Sequence, residues 1–166
     1  MENLKAIDIL KQAILLEKRG YSFYSTVAEQ CKDDDVKNIF VTMANEETMH
    51  VKFLSEQFTH YDKTHSFLKV TIPEGAEDSS DHILSEEVKN KISAAGFEAA
   101  AISAAVDFEK RAIEIYAGRA AVTDDPNEKE LYTFLSEWEK THLKILSDLD
   151  NELKEKVWFD NQFWPF

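Results

Sequence analysis

With a single cysteine, Cys31, the chain can form neither an internal disulfide nor a Cys-x-x-Cys metal knuckle, which fits a reducing compartment. Four glycines and three prolines are too few for a turn-rich β architecture, and a composition 43% hydrophobic and 31% charged favours long helices. The expected fold class is all-α, in one domain spanning 1–166. No run of 18 or more apolar residues is present, so no membrane span is expected, and Met1-Glu2-Asn3-Leu4-Lys5-Ala6 does not build a signal peptide. The expected location is the cytoplasm. Positive charge is scarce, 19 Lys and Arg against 32 Asp and Glu. The net charge of −13 repels nucleic acid and anionic lipid and concentrates cations instead.

Four long helices are legible from their apolar spacing, at about 4–31, 34–61, 96–122 and 126–157. The first carries a seam of Leu10, Ile14, Glu17, Tyr21, Tyr24 and Ala28, and the second one of Val36, Phe40, Met43, Glu47, His50 and Leu54. The third reads Ile102, Val106, Glu109, Ile113, Tyr116 and Ala120. The fourth reads Tyr132, Leu135, Glu139, His142, Leu146, Leu149 and Leu153. Asp33-Asp34-Asp35 offers the second helix an N-cap, and Asp125-Pro126-Asn127-Glu128 gives the fourth a cap, a first-turn proline and a capping-box Glu. Gly20 costs a helix interior about 1 kcal/mol relative to Ala, which suggests close helix approach or room near Glu17.

Residues 62–95 break the pattern and form a long crossover, with a short helix opening at Ser85-Glu86-Glu87-Val88. Phe67, Val70, Ile72, Ile83 and Leu84 are available to pin it to the bundle. The aromatic C-terminal tail of Trp158, Phe159, Phe163, Trp164 and Phe166 is expected to dock on its own bundle or on a partner subunit.

Ionisable residues occupy core slots in every seam. Glu47 and His50, like Glu139 and His142, stand three residues apart on one helix face, a spacing suited to a pair of metal ligands. Glu17 and Glu109, Glu47 and Glu139, and His50 and His142 are each separated by 92 residues, as are Tyr24 and Tyr116. This is the mark of one site built by two copies of a helix pair. If the first hairpin turns near Lys32, Glu17 and Glu47 both lie about 22 Å from the turn, at one height in an antiparallel pair. The second hairpin, turning near Asp124, repeats the arithmetic.

Four carboxylates and two imidazoles therefore converge in an apolar core, with no Lys or Arg in the seams to neutralise them. They must take up protons as a hydrogen-bonded network or bind cations. Two divalent ions balance four carboxylates, and this donor set suits iron or manganese. Tyr24 and Tyr116 are placed either to hydrogen-bond carboxylates across the core or to pack there. Glu46 and Glu137 are expected to face solvent, as are His60, His65 and His82.

A Glu on each of two helices plus Glu-x-x-His on each of two others resembles the ferritin-like superfamily, and more narrowly its rubrerythrin-like branch. The resemblance covers about residues 5 to 155, carried also by Leu16-Glu17-Lys18-Arg19-Gly20 with Phe23-Tyr24, by Asn45-Glu46-Glu47 before His50, and by Phe134-Leu135 before Glu139. It implies a ferritin-like four-helix bundle of two antiparallel hairpins joined by the crossover. It also implies a centre of two iron ions, with manganese as the alternative, held by Glu17, Glu47, His50, Glu109, Glu139 and His142, Glu47 and Glu139 bridging. Two departures stand out. These 166 residues hold no Cys-rich rubredoxin domain, so electrons would come from a separate donor such as a rubredoxin-type protein. The further Glu that rubrerythrins carry one turn along the third helix is here Ala112, with Glu114 on another face.

The leading expectation is a di-iron oxidoreductase reducing hydrogen peroxide or dioxygen in oxidative-stress defence. The alternatives are a ferroxidase serving iron storage or transfer, and a helical scaffold with a vestigial site. A homodimer is the expected assembly, with neither nucleic acid nor membrane as partner.

Overall fold

A computed structural model describes residues 5–71, 86–92 and 96–160. Five helices and no strand occur among them: α1 Ala6–Gln30, α2 Asp34–Thr64, α3 Glu86–Lys91, α4 Phe97–Val122 and α5 Pro126–Asp160. The four long helices match the sequence expectation to within three residues at each end. The short helix in the crossover is α3.

The caps explain the sharp starts. Asp33 Oδ1 accepts from the backbone N–H groups of Asp35 and Val36, and Asp125 Oδ1 from those of Asn127 and Glu128. Glu128 does not close the expected capping box. It lies buried and takes a bidentate pair from Arg119, at 2.8 and 2.9 Å, together with the Thr123 hydroxyl. A guanidinium at the end of α4 offers a buried carboxylate more than one backbone N–H does.

α1 pairs with α2, and α4 with α5, as two antiparallel hairpins. Two apolar layers fill the bundle. One joins Tyr24 and Val27 of α1, Val36 to Ala44 of α2, Ala101 to Val106 of α4 and Ile145 to Leu153 of α5, with Val88 and Ile92 around α3. The other joins Leu10 and Ala13, Leu54, Ala112 to Ala120, and Leu131 to Leu135. The end of α2 thus lies in one layer and the beginning of α4 in the other, so α2 and α4 are parallel. Phe67 and Val70 pin the first part of the connection between them, and Gln57 fixes Leu68 by exchanging hydrogen bonds with its backbone. Ile72, Ile83 and Leu84 lie outside the described residues.

Three seam positions differ from expectation. Tyr21 is exposed and Ile14 and Ile113 half-buried, while Gly20, Ala13 and Ala112 are buried in their place. The buried line steps by three and then four from each lone Glu, and Gly20 and Ala112 are themselves 92 residues apart.

Candidate metal centre

Between the two apolar layers, each long helix contributes its ionisable residue at the same height. Glu17, Glu47, His50, Glu109, Glu139 and His142 are all buried, none more than 1% exposed. His50 Nδ1 lies 3.1 Å from Glu17 Oε2 and 2.9 Å from Glu139 Oε1. His142 Nδ1 lies 3.1 Å from Glu139 Oε2 and 3.8 Å from Glu109 Oε1. Both imidazoles therefore present the same nitrogen to the carboxylates, as the 92-residue repeat requires.

Potential ligand atoms fall into two groups, each within 4.8 Å internally: Glu17, Glu47, His50 and Glu139, and Glu47, Glu109, Glu139 and His142. Glu47 and Glu139 belong to both. All four of their carboxylate oxygens, and His142 Nδ1, are buried without a hydrogen-bond partner among the described residues. Glu139 approaches both imidazoles closely but not in hydrogen-bonding alignment. Buried oxygens left unpaired are costly, and either a proton or a cation between them removes the cost.

The hydrogen bonds that do form orient the lone carboxylates. Tyr24 donates to Glu109, and Tyr116 to Glu17. Each tyrosine thus reaches across the α1–α4 interface to the other helix's Glu. The pairings 24 with 109 and 17 with 116 fix these two helices as antiparallel. Gly20 serves Glu47 rather than Glu17: a Cβ there would stand 2.9 Å from Glu47 Cδ and 3.0 Å from the Phe108 ring.

Without a cation the cluster holds protons. Burial, reinforced by the charge of Glu139, raises the pKa of Glu17, and raises those of Glu47 and Glu109 further. Burial also acts on Glu139, but there His50 and His142 outweigh it and hold the carboxylate below its ordinary range. Burial alone would keep both imidazoles neutral. Glu139 and the neighbouring carboxylates reverse this and carry the pKa of each well above that of a free histidine. Binding of a cation here would therefore displace protons from the cluster.

The structure adds one carboxylate and one indole to the site. Glu46 is buried, against the expectation of a solvent-facing residue, and accepts from His142 Nε2 and from Trp138 Nε1 at 3.3 Å. The signal was in the repeat: Glu46 and Trp138 are 92 residues apart, and an aromatic in the equivalent slot marks it as interior. Glu137 is exposed as expected. His65 is exposed, His60 half-buried, and neither joins the cluster; His82 lies outside the described residues. Cys31 is half-buried at the end of α1, its thiol pKa pushed up chiefly by burial.

The family model for rubrerythrin matches residues 8–150. The chain belongs to the rubrerythrin family. Members of the rubrerythrin family typically bind iron, and the buried Glu and His cluster supplies donors suited to it. No curated protein and no solved structure matches the chain. Among the described residues no helix is long and apolar enough to cross a membrane.

Proposed function

We propose that the protein is a di-iron carboxylate oxidoreductase that reduces hydrogen peroxide or dioxygen, with Glu17, Glu47, His50, Glu109, Glu139 and His142 as metal ligands. The observation that carries this reading is the pair of four-residue clusters with Glu47 and Glu139 in common. Two divalent ions would balance the four carboxylates, and Glu47 and Glu139, common to both clusters, would serve both ions. Iron bound there in the ferrous state supplies two electrons for cleavage of an O–O bond and the Lewis acidity that polarises it.

The chain's own residues hold and orient. Tyr24 and Tyr116 fix the carboxylates of Glu109 and Glu17, Gly20 leaves room for Glu47, and the apolar layers above and below keep bulk water out. Reduction of hydrogen peroxide to two waters consumes two protons and two electrons. A separate electron donor of rubredoxin type restores the electrons, since one cysteine denies these 166 residues a four-cysteine iron site of their own. A homodimer is the proposed assembly, supported by exposed Trp158 and Phe159 on the last turns of α5; residues 161–166 of the aromatic tail lie outside the described part. Stopped-flow mixing of the reduced, iron-loaded protein with peroxide and with dioxygen tests the reading. Accelerated oxidation by one of them supports it, and no acceleration by either sinks it.

Ala112 favours a second reading. It is buried in an apolar layer, so this position adds no further carboxylate to the four Glu and two His of the cluster. A six-residue set is compatible with oxidation of Fe²⁺ for storage or transfer. Storage requires iron loading far beyond two ions per chain in a large hollow assembly, and a dimer that stops at two irons excludes it.

A further inference from the structure

The six candidate ligands and the two tyrosines that bond them match residue for residue at the 92-residue spacing, but the residues immediately behind the histidines do not. There Glu46 on α2 corresponds to Trp138 on α5. Glu46 Oε2 accepts from His142 Nε2, so that imidazole is backed by a buried carboxylate and its Nδ1 is directed at Glu109 and Glu139. His50 has no such support. Trp138 stands edge-on against it, ring centroids 4.6 Å apart and planes at 80°, and the indole N–H is directed to Glu46 instead. His50 Nε2 is buried with no protein acceptor among the described residues.

A carboxylate accepting the outer N–H of a ligating imidazole fixes its tautomer and ring orientation and makes the inner nitrogen a stronger donor; losing such a partner typically costs about 10- to 100-fold in metal affinity. An indole edge fixes the ring by packing alone and adds no negative charge.

From this difference we infer that Glu46 and Trp138 make the two ion positions unequal: the position formed by Glu47, Glu109, Glu139 and His142 fills first and more tightly, and the position formed by Glu17, Glu47, His50 and Glu139 fills second. Glu46 acts here as a positioning residue, reaching the ion only through His142. The inference rests on the proposed metal-ligand set. It goes beyond that set in assigning an order of loading and a residue that determines it.

The experiment is a Co²⁺ titration of the full cation-free chain, followed by absorption and calorimetry, with no turnover required. The expected result is two resolved steps. Glu46→Gln is expected to weaken the first step by about 10- to 100-fold and to change the second by less than about threefold. Trp138→Phe retains a ring against His50 but removes the N–H to Glu46, and is expected to alter the first step by less than Glu46→Gln does. Anomalous diffraction from wild-type crystals holding one Co²⁺ per chain needs no variant and is expected to place the ion beside His142. An ion beside His50, two equal steps, or a Glu46→Gln effect confined to the second step overturns the inference alone. Failure of the wild-type chain to bind Co²⁺ overturns it together with the metal-site reading.

Discussion

Replacing Gly20 with Ala separates two opposed effects whose sizes can be worked out in advance. In a helix interior, Gly→Ala ordinarily stabilises by about 0.5–1 kcal/mol, because glycine surrenders more backbone entropy on folding. Gly118 supplies the control: it lies exposed in α4, and a Cβ there would meet nothing within 4 Å. Gly118→Ala should therefore show the full gain, about 1–4 °C in Tm for a chain of this size. At Gly20 the added carbon would stand 2.9 Å from Glu47 Cδ, 3.1 Å from Glu47 Oε1 and 3.0 Å from Phe108 Cε1. Overpacking of this kind costs about 1–3 kcal/mol, so the net effect on the cation-free protein is a loss of roughly 0–2.5 kcal/mol. Glu47 can relieve part of the clash by turning its carboxylate, but a turned Glu47 is no longer aligned with the cations it is proposed to share. Metal affinity should accordingly fall by about tenfold for each 1.4 kcal/mol of misalignment. Urea denaturation and Co²⁺ titration of both variants read the two quantities. If Gly20→Ala gained as much stability as Gly118→Ala and bound Co²⁺ like the wild type, the reasoning from close approach would be refuted.

Three further outcomes are expected. Glu17, Glu47 and Glu109 have raised pKa values in the folded, cation-free chain, so they bind more protons folded than unfolded and favour the fold at low pH. That contribution is lost as pH rises from the ordinary carboxylate range through the folded values; His50 and His142, also raised, act in the same direction and Glu139 against it. Urea midpoints of the cation-free protein should thus fall between pH 5 and 8 while Co²⁺ affinity climbs, with proton release measurable in weak buffer; a midpoint rising over that range contradicts the sign. Tyr116→Phe removes the donor to buried Glu17 and should cost the cation-free protein about 1–3 kcal/mol, against no measurable change if the tyrosine merely packs. Arg119→Ala leaves buried Glu128 without its bidentate partner, and a loss of about 2–3 kcal/mol in urea denaturation is expected; a loss below about 0.5 kcal/mol would show the pair to be incidental.

Most of the cluster was legible because its residues break the rule of the seam they sit in. A Glu or His in an apolar stripe is conspicuous, and the 92-residue spacing alone ties six such positions together. The helix starts were equally readable, since Asp33 and Asp125 cap through their own side chains. Glu46 was not. Its neighbour Glu47 claimed the ligand slot, and a carboxylate beside it on the helix reads as solvent-facing unless the matching Trp138 is taken as a sign that the slot points inward. Tyr21 and Ile113 failed for a different reason. An aromatic or branched side chain outweighs a glycine or alanine in any apolar pattern, yet Gly20, packed against Glu47, and Ala112 hold the buried positions. Glu128 fitted a local capping rule, and a tertiary partner, Arg119, took it instead.

The six converging residues are proposed to hold two metal ions. Iron analysis of the reconstituted chain, paired with anomalous diffraction at the iron edge, tests this most directly. About two irons per chain are expected, one bounded by His50 and one by His142, with Glu47 and Glu139 between them, and both ions are expected to be lost in a folded Glu139→Ala variant. A well-folded chain that retains no iron, or one whose iron lies away from these residues, would contradict the proposal.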